Sequence, residues 1–304
     1  AAWAVKRSSW PPPLMLSVGC IVELSNPEMS SSQTSNADYS ELVTRHSSLV
    51  TSIIGIVGGV GPLAGLDLQR KIVAQTIAGR DQDHLPVLSV SWPGPIPDRT
   101  EYLLGRVAEN PAYPILEQLR LLAEAGATVA GIPCNTAHAP AIFDVIRAGV
   151  AEFARPLRLL HMIDETAIHL ATCHPTLRVV GVLSTTGTWR TRLYPAALEP
   201  RGYRVVVPDE ALQVGAIHPA IYDPAYGVKA AGRVTARARA NLEQGIAALQ
   251  EQGAEAIILG CTEMPIVFPE GAFEGLPLID PTLVLARALI RAVDPSRLLA
   301  DEFV

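Results

Sequence analysis

The sequence predicts an α/β protein built from two pseudo-symmetric parallel-sheet domains, with the active site in the cleft between them, and three observations support this. Short apolar runs rich in valine and isoleucine alternate with amphipathic helical stretches from Ser52 onward. The runs lack the alternation typical of half-exposed strands, as expected for strands buried on both faces. A segment that contains Cys134 is repeated 127 residues later around Cys261.

The apolar runs predict strands at 53–58, 86–91, 128–133, 157–161, 179–184, 203–207, 256–260 and 277–279. The amphipathic stretches predict helices at 62–78, 111–125, 139–153, 164–172, 188–200, 230–252 and 281–292. Glycine or proline marks most of the short junctions. Regular alternation of strands and helices indicates βαβ units and a parallel sheet.

The internal repeat divides the chain. In each copy a Glu-x-Gly-Ala turn is followed by an apolar run and a cysteine, from Glu124 to Cys134 and from Glu251 to Cys261. We therefore expect a first domain at 51–160, completed by 278–304, and a second at 161–277. The segment 1–50 contains a Ser/Asn-rich stretch and is expected to be disordered or non-native. The last predicted helix is expected to pack back on the first domain.

Composition excludes several classes of function. The net charge is −6 and there is no basic patch, which argues against nucleic acid as a partner. No apolar stretch reaches the roughly 18 residues of a membrane span. The four cysteines form no disulfide framework, so a reducing compartment, the cytoplasm, is expected. Only three lysines occur in the chain, which disfavours a lysine Schiff base and hence pyridoxal phosphate.

Polar segments follow several predicted strands. These segments are 58–61, 134–136, 184–187 and 261–263. In open parallel sheets, ligands bind outside the carboxyl ends of the strands. Backbone N–H groups at nearby helix starts favour anions, so a small dicarboxylate is a natural ligand. One thiol on each wall of a cleft suits removal of a proton from one face of a carbon and its return to the other face.

Some of these motifs also fit other structures or functions. A single buried cysteine is commonly a small apolar residue, but two cysteines at matched repeat positions favour a shared function. Cys134 and His138 are spaced as a zinc pair on a helix, yet no second pair accompanies them, so no metal is expected. The loop Gly59–Ala64 matches the dinucleotide fingerprint G-x-G-x-x-A, but Asp81 and Asp83 precede the second strand rather than end it. No cofactor is expected.

Seven motifs, in order along about 52–292, resemble the aspartate/glutamate racemase family. They are 58–64 (GGVGPLA), 96–100 (IPDRT), 133–138 (PCNTAH), 185–188 (TTGT), 227–230 (GVKA), 260–263 (GCTE) and 278–281 (LIDP). The resemblance implies a cofactor-independent enzyme whose two cysteines, Cys134 and Cys261, act as opposed acid and base. It also implies a homodimer.

The resemblance implies roles for other residues as well. Arg99 and Lys229 match positions that hold the side-chain carboxylate of the substrate. Four further residues match family positions that hold the α-amino acid head of the substrate: Asn135, Thr136, Thr185 and Thr186. The remaining substrate-binding candidates, within the same motifs, are Val60, Ala137, Thr262 and Glu263.

The expected reaction is reversible inversion at the α-carbon of aspartate, with glutamate or another amino acid as further possible substrates. Two alternatives stay open from the sequence. One is another isomerase of the same superfamily, of the hydantoin racemase or maleate isomerase type. The other is a non-catalytic, two-lobed protein that binds an amino acid.

Overall fold

A computed structural model describes residues 52–300 of the chain. The expectation for 1–50 falls outside the described residues. Within them, the strands form two separate sheets, each flanked by helices. This arrangement confirms the predicted α/β class with two parallel sheets.

The first sheet contains four parallel strands in the order β2-β1-β3-β4. The strands are β1 (Ile53–Val57), β2 (Val87–Val90), β3 (Ala127–Gly131) and β4 (Arg158–Leu159). The helices of this part are α1 (Pro62–Gln75), α2 (Arg99–Leu103), α3 (Ala112–Glu124) and α4 (Pro140–Ala151), with 3₁₀ turns at Asp81–Asp83 and Asn135–His138.

The second sheet has the order β6-β5-β7-β9-β8, and only β8 is antiparallel to its neighbour. The strands are β5 (Val179–Ser184), β6 (Arg204–Val206), β7 (Ala256–Gly260), β8 (Ala272–Phe273) and β9 (Leu276–Ile279). The helices are α5 (Met162–Cys173), α6 (Thr186–Arg190), α7 (Leu193–Leu198), α8 (Glu210–Leu212), α9 (His218–Tyr222), α10 (Val228–Ala231), α11 (Ala236–Glu251), α12 (Met264–Val267) and α13 (Pro281–Val293).

The two sheets repeat one topology. In each sheet the first strand along the chain lies between the second and the third. A later strand, β4 or β9, then pairs with the third. The short strand β8 is an added edge, which the sequence did not predict. Because the cysteine of each repeat follows the third strand, Cys134 and Cys261 occupy equivalent positions.

The last helix joins the second sheet to the first. Helix α13 begins after β9, where the Asp280 side chain accepts a hydrogen bond from the Thr282 backbone N–H at 2.8 Å. Leu285 and Leu289 of α13 are fully buried in one cluster with Ile54 and Ile56 of β1. Burial of each leucine side chain contributes roughly 1.5–3 kcal/mol. The helix thus packs on the first sheet, while the boundaries of the two domains stay a prediction.

Two predicted helices are interrupted in the structure. The predicted helix 188–200 divides at Arg192, whose φ of 50° is left-handed. Pro195 has no N–H to donate to the carbonyl four residues earlier, which explains the break. The predicted helix 230–252 divides because Gly232, at φ 61°, ends α10. Thr235 then begins α11 by accepting a hydrogen bond from the Ala238 N–H at 3.1 Å.

Candidate active site

A small cavity of about 10 Å³ lies where the carboxyl ends of β3, β5 and β7 come together. It is lined by Val60, Arg99, Cys134, Asn135, Thr136, Thr185, Tyr222, Lys229, Gly260, Cys261, Thr262 and Glu263. Ten of the predicted site residues are therefore together. The other two, Ala137 and Thr186, are buried beside it without lining it, and the Thr186 N–H donates to His218 Nδ1 at 3.4 Å.

The first wall carries Cys134 and Arg99. Helix α2 begins at Arg99 because the Asp98 carboxylate accepts hydrogen bonds from the backbone N–H groups of Thr100 (2.8 Å) and Glu101 (3.0 Å). Arg99 is buried, and its Nη2 donates to the Val60 carbonyl at 3.3 Å. Burial alone would lower its pKa, but charge interactions with Cys134, Tyr222 and Asp98 keep the pKa above its ordinary value. A permanent cation therefore lines the same cavity as the first thiol.

The second wall carries Cys261 and Glu263. The Cys261 Sγ–H donates to Glu263 Oε2 at 2.9 Å, and the Thr262 hydroxyl donates to the same oxygen at 3.2 Å. The other carboxylate oxygen lies 3.4 Å from Lys229 Nζ. Burial raises the pKa of Cys261 well above its ordinary value, and the Glu263 charge raises it further. An anion therefore lies against the second thiol.

Tyr222 of α9 lines the cavity but was not predicted. Its hydroxyl donates to Asp98 Oδ2 at 3.3 Å and accepts from Lys229 Nζ at 3.5 Å. The Lys229 ammonium also lies 4.8 Å from the centre of the Tyr222 ring. Burial raises the pKa of Tyr222 to about 12, so the phenol stays protonated. No motif surrounds this residue in the sequence, and only the path of α9 brings it to Lys229.

Residues of the two halves of the chain meet directly at the cavity. The hydroxyls of Thr136 and Thr188 are 3.0 Å apart, and Tyr194 OH donates to Asn135 Oδ1 at 2.5 Å. A Cβ added at Gly187 would lie 2.7 Å from the Thr100 hydroxyl, so only glycine permits this close approach. The cavity is thus enclosed from both halves.

Two buried donors at the cavity lack a partner within the described part of the chain. They are Nε of Arg99 and Nδ2 of Asn135. An unmet buried donor costs about 1–3 kcal/mol. Both atoms belong to residues that line the cavity, so a ligand with carboxylate oxygens would satisfy them.

An adjoining hollow shares part of its lining with the cavity. It has a volume of about 450 Å³ and shares Arg99, Tyr222, Lys229 and Glu263 with the inner cavity. These four side chains therefore lie between the two spaces, and two of them are cations.

His138 does not face the cavity. Its Nδ1–H donates to the Cys134 carbonyl at 2.8 Å, and its ring lies between Phe143 and His161. Burial lowers the pKa of His138 to about 3, so the ring is neutral. Among residues 52–300, no group of three or more His, Cys, Asp and Glu side chains could hold a metal ion. In the same range, no helix is long and apolar enough to cross a membrane.

A family model agrees with the motifs and the geometry. The model for Asp/Glu/Hydantoin racemase matches residues 57–289. Glutamate racemase of Pseudomonas paraeruginosa (strain DSM 24068 / PA7) is 32% identical over 190 residues, which are 59% of this chain and 63% of that protein. The match thus spans less than two thirds of that relative. Glutamate racemase of Pseudomonas entomophila (strain L48) is 30% identical over 81% of both chains.

Solved structures share the fold. The Picrophilus torridus aspartate racemase superposes with a TM-score of 0.67 at 30% identity, over 83% of this chain and 97% of that one. A putative Asp/Glu racemase from Yersinia pestis superposes with a TM-score of 0.60 at 24% identity, over 80% and 99% of the two chains. The first superposition shows similarity to a racemase in both sequence and fold. The second shows similarity in fold alone.

Proposed function

The chain belongs to the Asp/Glu/Hydantoin racemase family, and from that premise we propose that it interconverts L- and D-aspartate without a cofactor. Cys134 and Cys261 are the acid and the base in this proposal. The observation that carries it is the pair of thiols, which come from equivalent positions of a repeat and line one small cavity with two cations.

The proposed reaction needs one thiolate and one thiol. The thiolate takes the α-proton from one face of the carbon, and the thiol delivers a proton to the other face. The carbanion formed in between places charge on the α-carboxylate. The unpaired donor of Asn135 and backbone N–H groups at the ends of the strands are suited to stabilise that charge. Thr136, Thr185 and Thr262 are further contacts for the amino-acid head in this proposal.

Arg99 and Lys229 are proposed to bind the side-chain carboxylate of the substrate. Both are buried or half-buried cations that line the cavity and the adjoining hollow. An arginine fork matches a carboxylate with two parallel hydrogen bonds. The Picrophilus protein, named as an aspartate racemase, is similar over nearly its whole length.

A chiral assay tests the proposal. The purified, dialysed protein is incubated separately with L-aspartate, D-aspartate, L-glutamate and L-alanine, and both enantiomers are quantified over time. We expect aspartate to racemise from either side to an equal mixture, faster than glutamate and much faster than alanine. Added pyridoxal phosphate should have no effect. Binding of aspartate without inversion would favour a two-lobed binding protein, and turnover of a hydantoin or maleate alone would favour another isomerase of the family.

The state of the protein in the cell is a further part of the proposal. Two free thiols need a reducing compartment, so we expect the enzyme to act in the cytoplasm. We also expect a homodimer, as is usual in the family. Light scattering coupled to size-exclusion chromatography measures this, and a mass equal to one chain would contradict it.

A further inference from the structure

The two oxygens of the Glu263 carboxylate have different neighbours. Oε2 accepts hydrogen bonds from the Cys261 thiol at 2.9 Å and from the Thr262 hydroxyl, while Oε1 faces the Lys229 ammonium at 3.4 Å. The side chain is only 5% exposed. Gly61 makes room for it, because a Cβ there would lie 3.3 Å from Oε1. The carboxylate is thus held in one place between a thiol and a cation.

This geometry requires a proton on Cys261. A thiolate and a carboxylate at 2.9 Å would repel each other by several kcal/mol, even at an effective dielectric constant of about 20. An S–H donor makes the same contact favourable. The other titratable groups whose charges act on this sulfur are Lys229, Tyr222 and Tyr194, and only Lys229 carries a positive charge, which Glu263 already neutralises.

The first wall has the opposite polarity. Cys134 lines the same cavity as the Arg99 guanidinium, and an arginine keeps its charge throughout the physiological pH range. Asp98 and Tyr222 face Arg99 as well, but Tyr222 is protonated and Asp98 is also bonded to the start of α2. The first wall therefore presents a cation to its thiol, whereas the second wall presents a carboxylate.

We infer that the two thiols are unequal in the resting protein, because Glu263 is a positioning residue that keeps the proton on Cys261. The inference deepens the proposed function, since it names which thiol is the base for the first enantiomer to bind. It does not depend on the identity of the amino acid. The burial and charge that raise the pKa of Cys261 agree with it.

A difference in pKa between the two thiols would favour the proposed reaction. A two-thiol racemase works only in the form that holds one proton on the pair. Environments that separate the titrations of two such groups widen the pH range in which that form dominates. In the first half of a turnover, the Cα–H bond breaks and an S–H bond forms at Cys134. The S–H bond of Cys261 then breaks as its proton adds to the opposite face, and solvent exchange afterwards restores the resting state.

Alkylation tests the inference without any substrate. The wild-type protein is treated with iodoacetamide across a pH series, and the modification of each cysteine peptide is followed by mass spectrometry. The pH midpoint of each rate is compared, because unequal access changes the rate but not the midpoint. We expect the midpoint of Cys134 to lie at least about 1 pH lower than that of Cys261. Equal midpoints, or a lower one for Cys261, would overturn the inference.

Glu263→Gln tests the origin of the inequality. The amide keeps the shape and can accept the S–H bond but carries no charge, so the Cys261 midpoint should fall while that of Cys134 stays. The alkaline limb of the kcat/KM profile for aspartate should move to lower pH with it. Glu270→Gln, at an exposed carboxylate near Arg239, is the matched control and should change neither. An unchanged Cys261 midpoint in a folded Glu263→Gln protein would show that Glu263 does not retain the proton.

The proposed function and the inferred inequality of the two thiols can be refuted independently of each other. Unequal midpoints in a protein that racemises no amino acid would refute the proposed function and leave the inequality of the thiols standing. Racemisation by a protein whose two cysteines have equal midpoints would support the proposed function and refute the inequality of the thiols. If Glu263→Gln does not fold, Glu263→Asp keeps the charge and should keep the Cys261 midpoint above that of Cys134.

Discussion

The two walls of the cavity are built from the same repeated segment, yet their charges differ. Cys134 and Cys261 each follow the third strand of a sheet. Two positions later, the first copy has Thr136, whose hydroxyl bonds to Thr188, and the second has Glu263, which bonds to its own cysteine. A repeated fold thus fixes where the thiols lie, while single side chains beside them give each thiol a different electrostatic environment.

The same contrast appears in how the walls are supported. On the first wall, His138 donates a hydrogen bond to the carbonyl of Cys134 from behind the cavity. The equivalent position of the second copy is Pro265, which has no such donor. On the second wall, Lys229 instead contacts both Tyr222 and Glu263. Each half therefore needs different neighbours to hold the same reacting atom.

The largest effect is expected from removing either thiol. Cys134→Ala and Cys261→Ala should each lower kcat/KM for aspartate by at least about 100-fold, because general acid–base groups contribute roughly 10²–10⁴-fold. Cys134→Ser and Cys261→Ser should do the same, because a serine hydroxyl is too weak an acid to supply the base. Cys173→Ser, at the end of α5, is the control and should retain activity. Near-normal turnover by either alanine variant would refute a mechanism with two thiols.

The single-cysteine variants also test whether the walls face opposite sides of the substrate. Each variant keeps one possible base, so it should exchange the α-proton of one enantiomer with deuterated solvent and leave the other unlabelled. The preferred enantiomer should be opposite for the two variants. Equal labelling of both enantiomers by one variant would show that the two thiols do not serve separate faces.

A smaller effect is expected from the two cations. A hydrogen bond to a charged group contributes about 1.5–3 kcal/mol, so Arg99→Lys and Lys229→Met should each cost about ten- to a hundredfold in kcat/KM for aspartate. The loss should be much smaller for alanine, whose side chain has no carboxylate. Arg106→Lys, at an exposed pair with Glu101, is the control. Equal fractional losses on both substrates would mean that the cations bind the α-carboxylate or maintain the fold.

The smallest effect is expected from the Tyr222 hydroxyl. Tyr222→Phe keeps the ring beside Lys229 and the stack on His218 but removes hydrogen bonds to Asp98 and from Lys229. One such bond contributes about 0.5–1.5 kcal/mol, so kcat/KM for aspartate should fall about two- to tenfold. Tyr113→Phe changes an exposed tyrosine and should have no effect. A loss as large as that of Lys229→Met would place Tyr222 in direct contact with the reacting groups.

The sequence predicted the parts of the molecule that are local or repeated. Buried strands produce continuous apolar runs, so both sheets could be expected. The repeat predicted that Cys134 and Cys261 follow equivalent strands, and the family resemblance predicted most of the other residues that line the cavity. Tyr222 could not, because its role depends on contacts with Asp98 and Lys229 that no local pattern encodes. No helix was predicted for the segment 210–222, because its structure also depends on contacts with distant parts of the chain. It has a π-helical turn at Gln213–Ile217, where Gln213 Nε2 donates to the carbonyl of Ser184.

The contacts that Glu263 makes with Cys261 and Lys229 also could not be predicted from the sequence. Glu263 was expected to bind substrate, as a member of the Cys-Thr-Glu motif, and nothing in that motif indicates that its carboxylate faces both its own cysteine and Lys229. Such a contact depends on where α10 brings the lysine. The repeat predicts two similar walls, and only tertiary structure shows that they differ.

The most direct test of two opposed thiols is isotope labelling during the first turnovers in D₂O. L-aspartate is incubated with the wild-type protein, and both enantiomers are separated and analysed by mass spectrometry before equilibrium. We expect almost every new D-aspartate molecule to carry deuterium at the α-carbon, while the remaining L-aspartate is still unlabelled, since one thiol holds the removed proton and the other delivers a solvent-derived one. D-aspartate that retains the original proton, or L-aspartate that is labelled as fast as D-aspartate forms, would contradict two opposed thiols.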